Sequence, residues 1–461
     1  MTSLGDILIV GLGTSGFASA RYAARLVGSG EAVSVTAVDA GSSDVLEERA
    51  RVLRSDGVEV RLGTSEVAGR FDLAIASPGI PPHAPIFRAA EATSARVVSE
   101  IEFAFSRSSH TWVAVTGTNG KTTTTSLIVH LLEAGGIAAR AVGNIGPVAI
   151  DAVDSAESSE VLVAEVSSFQ LANIETFRPG VAVLLNLTPD HVNWHGTIDE
   201  YARAKARVFD NLADDDVAVI DVDDPGSAPY ANELAARGVH VARVSRLQPH
   251  AGGATVVDGV LALETRGGLV RLVSEDELLI RGAHNVSNAL AAAAAAHALG
   301  VSAASLQAGL RTFEPIEHRL EPVAEVGGVG WFNDSKATNP DAVLKALTAF
   351  GERPLVMLLG GRNKGSDMHP LASAVAARAR LAIVFGEAGD EIATAFHGLD
   401  IRVESAPGLA EAVAIAASLA QEGDAVVLSP ACASFDEFTS YEHRGDVFKE
   451  LVLAMATEES M

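Results

Sequence analysis

Lys121 and Thr122 close the stretch Thr116-Gly-Thr-Asn-Gly-Lys-Thr122. An ammonium and a hydroxyl set directly after two glycines suit one task, the holding of a polyphosphate. Glycines let backbone N–H groups point inward, a following helix adds positive potential, the lysine reaches the outer phosphates, and the threonine hydroxyl holds Mg²⁺. The common spacing of such loops asks for glycine at 115, where this chain has valine. A chance Gly-Lys-Thr is the plainer reading, and the strand and helix signals on either side weigh against it. Glu165 and His191 are the next candidates. A Mg²⁺ ion beside a triphosphate needs ligands beyond phosphate oxygens, and both residue types can supply them. Taken singly, each reads more simply as a surface acid or a capping histidine.

The elements that must position these groups are legible. Trp112 to Val115 is a β-branched, apolar run and predicts a buried strand; Ser126 to Leu132 predicts the helix after the loop. Val161 to Glu165 predicts a strand ending on Glu165, and Val181 to Leu185 one leading into Asn186-Leu-Thr-Pro-Asp-His191. In a parallel sheet those ends share one edge, which would gather Lys121, Thr122, Glu165 and His191. Gly143-Asn-Ile-Gly146 is a further glycine turn. Tyr201 to Phe209 predicts an amphipathic helix, and on pattern alone Lys205 belongs to its solvated face. Asp214 to Asp216 and Asp223-Asp224 read as loop and helix-start residues rather than metal ligands. Gly282-Ala-His-Asn-Val-Ser-Asn288 opens an Ala-rich helix, and its polar groups cap that helix or reach a base.

The amino-terminal part carries a second glycine turn. Strand Ile7 to Val10 runs into Gly11-Leu-Gly-Thr-Ser-Gly16, and strand Val33 to Val38 ends on Asp39. That is a complete dinucleotide fingerprint, which tests the turn and helix start but not the base. Leu73 to Ala76 ends in Ser77-Pro-Gly-Ile80, where open α/β sheets place ligands. A polar break at Ser106 to His110 and the segment Phe313 to Arg319 divide the chain. Beyond the second break, Asn333 to Asn339, Gly360 to Lys364 and Ser429 to Ser434 each follow a strand signal. The fold class expected is α/β in three domains: a Rossmann-like domain over 1–107, a P-loop-type ATP-binding α/β domain over 108–314, and a Rossmann-like α/β domain over 315–461.

Composition narrows the class of partner. With 461 residues and a net charge of −25, nucleic acid and anionic membranes are disfavoured, and an anionic substrate needs a locally basic site. One cysteine, Cys432, excludes an internal disulfide framework. The start lacks a signal-peptide pattern, and the apolar stretch Ala289 to Val301 is too short to span a bilayer. A soluble, cytoplasmic protein is expected.

Taken in order, Thr116 to Thr122, Gly143 to Gly146, Glu165, His191, His284-Asn285, His318-Arg319 and Asn333 to Thr338 resemble the Mur ligase family, the ATP-dependent amide ligases of peptidoglycan synthesis. The Gly11 fingerprint domain, Asn333 to Asn339 and Ser429 to Ser434 look most like the members that add D-glutamate to UDP-N-acetylmuramoyl-L-alanine. The resemblance implies an acyl-phosphate intermediate and roles in cell wall biogenesis, cell shape and division. It implies that ATP lies around Gly117, Thr118, Asn119, Gly120, Lys121, Thr122, Thr123, Asn285, Asn288, Arg319 and Asp334. Glu165 and Thr122 would ligate a first Mg²⁺, and His191 with a carbamylated Lys205 a second. Thr14, Ser15, Asp39, Ser77 and Asn144 would meet the UDP-substrate, and Lys336, Thr338, Lys364, Ser434 and Tyr441 the D-glutamate. Where relatives carry Thr-Arg after the aspartate, this chain has Ala40-Gly41; at Tyr441 a familiar relative has Phe. A monomer is expected. Rival readings are another Mur ligase or a folylpolyglutamate synthase-like ligase, an NAD-dependent oxidoreductase built on Gly11 to Gly16, and a non-catalytic nucleotide-binding regulator.

Overall fold

The computed structural model describes residues 3–265, 267–351 and 353–459. Three sheets form among them. The first holds β1 (Asp6–Val10), β2 (Ser34–Val38), β3 (Glu59–Arg61), β4 (Leu73–Ala76) and β5 (Val97–Ser99), in the order β3-β2-β1-β4-β5, with every pair parallel. The second holds β6 (Trp112–Thr116), β7 (Ala139–Gly143), β8 (Val161–Glu165), β9 (Val181–Leu184), β10 (Val217–Asp221), β11 (His240–Ser245), β12 (Ala254–Val257), β13 (Val260–Thr265) and β14 (Gly268–Ser274). Its order is β14-β13-β12-β11-β10-β9-β6-β8-β7, parallel as far as β12 and antiparallel in the last two pairs. The third holds β15 (Glu321–Val326), β16 (Val329–Asn333), β17 (Leu355–Gly360), β18 (Ala379–Phe385), β19 (Arg402–Ala406) and β20 (Ala425–Ala431), in the order β15-β16-β20-β17-β18-β19.

The parallel strands are continuous apolar runs because helices cover both faces, and residues of both pleats are buried. Val113, Ala114 and Val115 have no exposed surface. The chain divides into two compact units, Met1–Glu277 with Ser287–Thr312, and Leu278–Val286 with Phe313–Met461. In the first unit one apolar core runs beneath two sheets, joining Ile9 and Ile75 to Trp112, Ala164 and Phe177. In the second, separate cores lie on the two faces of the third sheet. The Ala-rich helix Ala283–Ala298 is buried along Ala289 to Ala296, as its composition predicts. No helix among the described residues is long and apolar enough to cross a membrane.

The helix Glu100–Ser106 was not legible in the sequence, and two carboxylates explain its place. Glu102 accepts from the backbone N–H groups of Glu175, Thr176 and Phe177 at 2.8–3.0 Å, capping a loop from outside. Glu100 accepts from Ile150 N–H at 2.8 Å. Burial, with help from Asp151, raises the Glu100 pKa from 4.5 to about 7, against the Ile150 bond. The folded chain therefore holds this proton more tightly than the unfolded one, so stability falls as pH rises from about 4.5 to about 7. Glu100→Gln keeps an acceptor for Ile150 without the charge. Its melting temperature, relative to the parent, should be higher at pH 8 than at pH 5, by an amount worth up to roughly 3 kcal/mol. The same offset at both pH values would show that Glu100 is ionised in the folded protein.

Each sheet places its candidate polar segments on three neighbouring strands. Gly11 follows β1, Asp39 follows β2 and Ser77 follows β4; the loop at Gly117 follows β6, Glu165 ends β8, and Asn186 to His191 follow β9. In the third sheet the three segments begin within the last residues of β16, β20 and β17. Parallel packing thus brings together what lies far apart in sequence.

Candidate active site

The glycine loop is shaped by the residues that surround it. Gly120 has φ +84°, and a Cβ there would lie 2.4 Å from Asn288 Oδ1, so glycine is required by backbone and by space. Asn186 braces the loop from β9: its Oδ1 accepts from Asn119 N–H at 2.9 Å and its Nδ2 donates to Asn119 O at 3.0 Å. Thr118 Oγ1 lies 2.9 Å from the Tyr201 hydroxyl and donates to Thr188 O. Thr122 and Thr123 are buried in the first turn of the helix Lys121–Ala134. The Lys121 ammonium folds back over its own loop, donating to Gly117 O at 3.0 Å and Thr118 O at 2.9 Å.

Lys205 departs from the solvated helix face that its pattern suggested. It is 2% exposed. Its Nζ donates to Gly117 O at 2.8 Å, the same carbonyl that Lys121 uses, and stands 4.9 Å from the centre of the Tyr201 ring. Burial and then the neighbouring Lys121 charge hold its pKa well below the ordinary lysine range, with Asp190 and Glu165 opposing. The helix Ile198–Ala206 buries Tyr201, Ala204 and Lys205 on one face, and Tyr201 and Lys205 reach the loop from it. Periodicity alone does not separate a buried lysine from an exposed one.

Lys121, His191 and Lys205 line one cavity of about 220 Å³, with Asn144 from the turn after β7 and Pro78-Gly79 from the turn after β4. Ser167, Ser168, Phe169 and Asp190 complete much of the wall. Glu165 is buried, and its Oε2 meets no hydrogen-bond partner among the described residues. His191 sits at φ +51° with its ring half-buried, its Nε2 3.5 Å from Asp190 Oδ2. His195 was not singled out from the sequence. Its Nε2 lies 2.9 Å from Ser168 Oγ, and burial, with His191 and Lys205, pushes its pKa down to about 4. Among the described residues no three His, Cys, Asp or Glu side chains form a ready metal cage. A buried, unpartnered carboxylate oxygen beside a phosphate-type loop instead suits Mg²⁺, whose other ligands are phosphate oxygens and water.

Around the first glycine turn, Asp39 spends both carboxylate oxygens on backbone, accepting from Leu12 N–H at 2.6 Å and Gly41 N–H at 2.8 Å. Ser77 Oγ donates to Gly11 O at 3.0 Å, and Thr14 is exposed at the helix start. Asp223 and Asp224 hold backbone and serine groups, as loop and helix-start residues do.

In the second unit, Asp334 is buried between Leu320 N–H and the Ser429 hydroxyl, and burial raises its pKa to about 7. Lys336 stands 5.0 Å from the centre of the Tyr441 ring. Thr338 follows two residues on, Lys364 is exposed, and Ser434 is 1% exposed. Asn285 donates to Arg281 O within the same unit, and Arg319 adds favourable charge to Asp334. Arg444 is a further residue that sequence reasoning missed. It has no exposed surface and donates to Ser335 O, Ser335 Oγ and Cys432 O, tying two of the strand-end loops together. A lone arginine in His443-Arg-Gly445 carries no signal of that.

Lysine is scarce in this chain. It occurs six times, at 121, 205, 336, 345, 364 and 449, among 34 lysines and arginines in all.

The Mur ligase middle domain model matches residues 115–296, and that of the Mur ligase, glutamate ligase domain matches residues 318–432. A UDP-N-acetylmuramoylalanine--D-glutamate ligase of Pelotomaculum thermopropionicum is 43% identical over 452 residues, 97% of each chain. One of Frankia casuarinae is 41% identical over 97% of this chain and 94% of its own. Among solved structures, a pseudomurein peptide ligase type C from Methanothermus fervidus superposes with a TM-score of 0.61 over 98% of this chain and 99% of its own. At 16% identity that likeness speaks for the fold alone.

Proposed function

The chain belongs to the Mur ligase family, and from that premise we propose that this ATP-dependent ligase joins D-glutamate to UDP-N-acetylmuramoyl-L-alanine in peptidoglycan precursor synthesis. The observation that carries the chemistry is the cavity that gathers Lys121, His191, Lys205 and Asn144. The substrate identities follow the names of the relatives at 43% and 41% identity.

A carboxylate at neutral pH is a poor electrophile, so the reaction needs a leaving group. In our reading a carboxylate oxygen of the alanyl group attacks the γ-phosphorus and ADP departs. The amine of D-glutamate then adds to the acyl carbon, and phosphate leaves from the tetrahedral intermediate as the amine loses its proton. Lys121 and the N–H groups of the Gly117 loop hold phosphate oxygens and meet the charge of the transferring group. Thr122 and Glu165 would hold one Mg²⁺, and His191 with Lys205 as its carbamate a second. Bound Mg²⁺ supplies charge neutralisation. Asn285, Asn288, Arg319 and Asp334 serve the nucleotide; Thr14, Ser15, Asp39, Ser77 and Asn144 serve the UDP-substrate. Lys336, Thr338, Lys364, Ser434 and Tyr441 serve D-glutamate. The three-domain division at 107 and 314, a monomeric state and a cytoplasmic location belong to the same reading.

The deciding experiment is ADP release with UDP-N-acetylmuramoyl-L-alanine and a panel of amino acids. Turnover with D-glutamate far above the others is expected; turnover with another amino acid, or none, would overturn the assignment. Lys364 gives a narrower check. Exposed after β17, its ammonium is suited to the side-chain carboxylate of D-glutamate. Lys364→Ala should raise KM for D-glutamate about tenfold or more and leave KM for ATP within about twofold. Equal shifts in both would move Lys364 out of the amino-acid site.

A further inference from the structure

The acidic chain must accept an anionic substrate, and the first glycine turn has no obvious positive charge to offer it. None of the three segments at that sheet edge, 11–16, 39–43 and 77–80, contains a lysine or arginine. The charge comes from the neighbouring helix Asp44–Ser55. There Arg49 Nη1 donates to Leu12 O at 2.7 Å, while Asp39 Oδ2 accepts from Leu12 N–H at 2.6 Å. The two peptide groups that flank Leu12 are thus each held by a side chain. The Arg49 guanidinium carbon also stands 5.7 Å from the centre of the Phe17 ring, which fixes the arm.

Two features set Arg49 apart from a structural clamp. The arginines around it are neutralised: Arg21, Arg25, Arg51, Arg54 and Arg61 each lie within 4 Å of a carboxylate. Arg49 has no such carboxylate among the described residues, and Asp39 is committed to backbone N–H groups. The turn beside it is also open. A Cβ on Gly13 would touch nothing within 4 Å, and Thr14 is exposed. A partly buried, uncompensated guanidinium next to an open glycine turn, in a chain of net charge −25, matches a multiply charged anion. We propose that Arg49 binds the diphosphate of the uridine-diphosphate substrate, taking one phosphate together with the backbone N–H groups at the start of the helix Thr14–Ser29. The inference rests on the substrate class proposed above.

The test is calorimetric titration of the full chain with uridine 5′-diphosphate and, separately, with uridine. Arg49→Gln keeps a donor for Leu12 O and removes the charge. It should weaken uridine diphosphate binding at least tenfold and leave uridine binding within about twofold. Arg49→Lys keeps the charge without the planar fork and should lose about three- to tenfold for the diphosphate. Unchanged diphosphate affinity in either folded variant, or equal losses for diphosphate and uridine, would overturn the proposal and leave Arg49 a clamp on the turn. A parent chain that binds neither compound while turning over ATP would instead overturn the substrate class.

Discussion

A Lys121→Ala variant should fold as the parent does and release ADP at least about a hundredfold more slowly. The lysine is the first residue of the helix Lys121–Ala134 and packs into no apolar core; its ammonium rests on the carbonyls of Gly117 and Thr118. Phosphate oxygens are stronger acceptors for a full positive charge than those carbonyls are, so the side chain should exchange them when a nucleotide arrives. Its loss removes charge stabilisation that matters most as the phosphoryl group transfers, worth roughly 3 kcal/mol or more. A coupled assay for ADP and a melting curve measure the two halves of this expectation. Near-parental turnover from a folded variant would sink the phosphate assignment and leave Gly117 to Thr122 a turn like any other.

The second large effect belongs to Lys205. Lys205→Ala should abolish most turnover, again about a hundredfold or more, while an ATP analogue still binds within a few-fold of the parent. The side chain occupies a site where a charged ammonium is disfavoured by burial and by Lys121. A neutral amine is the form that adds CO₂, and the resulting carbamate is an anionic oxygen donor of the kind Mg²⁺ prefers. The reading therefore predicts that the parent, measured intact under non-denaturing conditions, carries the additional mass of one CO₂. Turnover should also fall in buffers stripped of CO₂ and return when bicarbonate is added. An unmodified parent with full activity in stripped buffer, or a fully active alanine variant, would refute it.

Much of the fold was legible because parallel strands are short, apolar and punctuated by glycine. β4 and β8 fall where the apolar runs placed them, and the strands that lead to Gly117, Glu165 and His191 are neighbours in the second sheet, as parallel packing requires. What the sequence hid is what depends on the far side of a contact. β5 has three residues, too few for periodicity to register, and the helix Glu100–Ser106 owes its position to carboxylates that find backbone donors some fifty and seventy-five residues away. Lys205 was hidden for the same reason. A helix pattern says which residues share a face, and only the loop at Gly117, about ninety positions earlier, decides whether that face sees water. Arg444 and Asn186 brace the loops that carry the expected residues, and neither has a motif, because a brace needs reach and geometry rather than a particular neighbour in the chain.

The scarcity of lysine has a practical side. Reagents that acylate primary amines usually decorate a protein's whole surface, so their chemistry reports little about any one place. Here arginine carries most of the positive charge and does not react with them. Four of the six lysines belong to the two candidate sites, and Lys449 is engaged with Glu317, Glu321 and Asp446. The time course of amine labelling on this protein thus becomes a footprint of its reaction centre: exposed Lys364 should modify early, enclosed Lys205 late, and the protection of Lys121 should follow nucleotide occupancy directly.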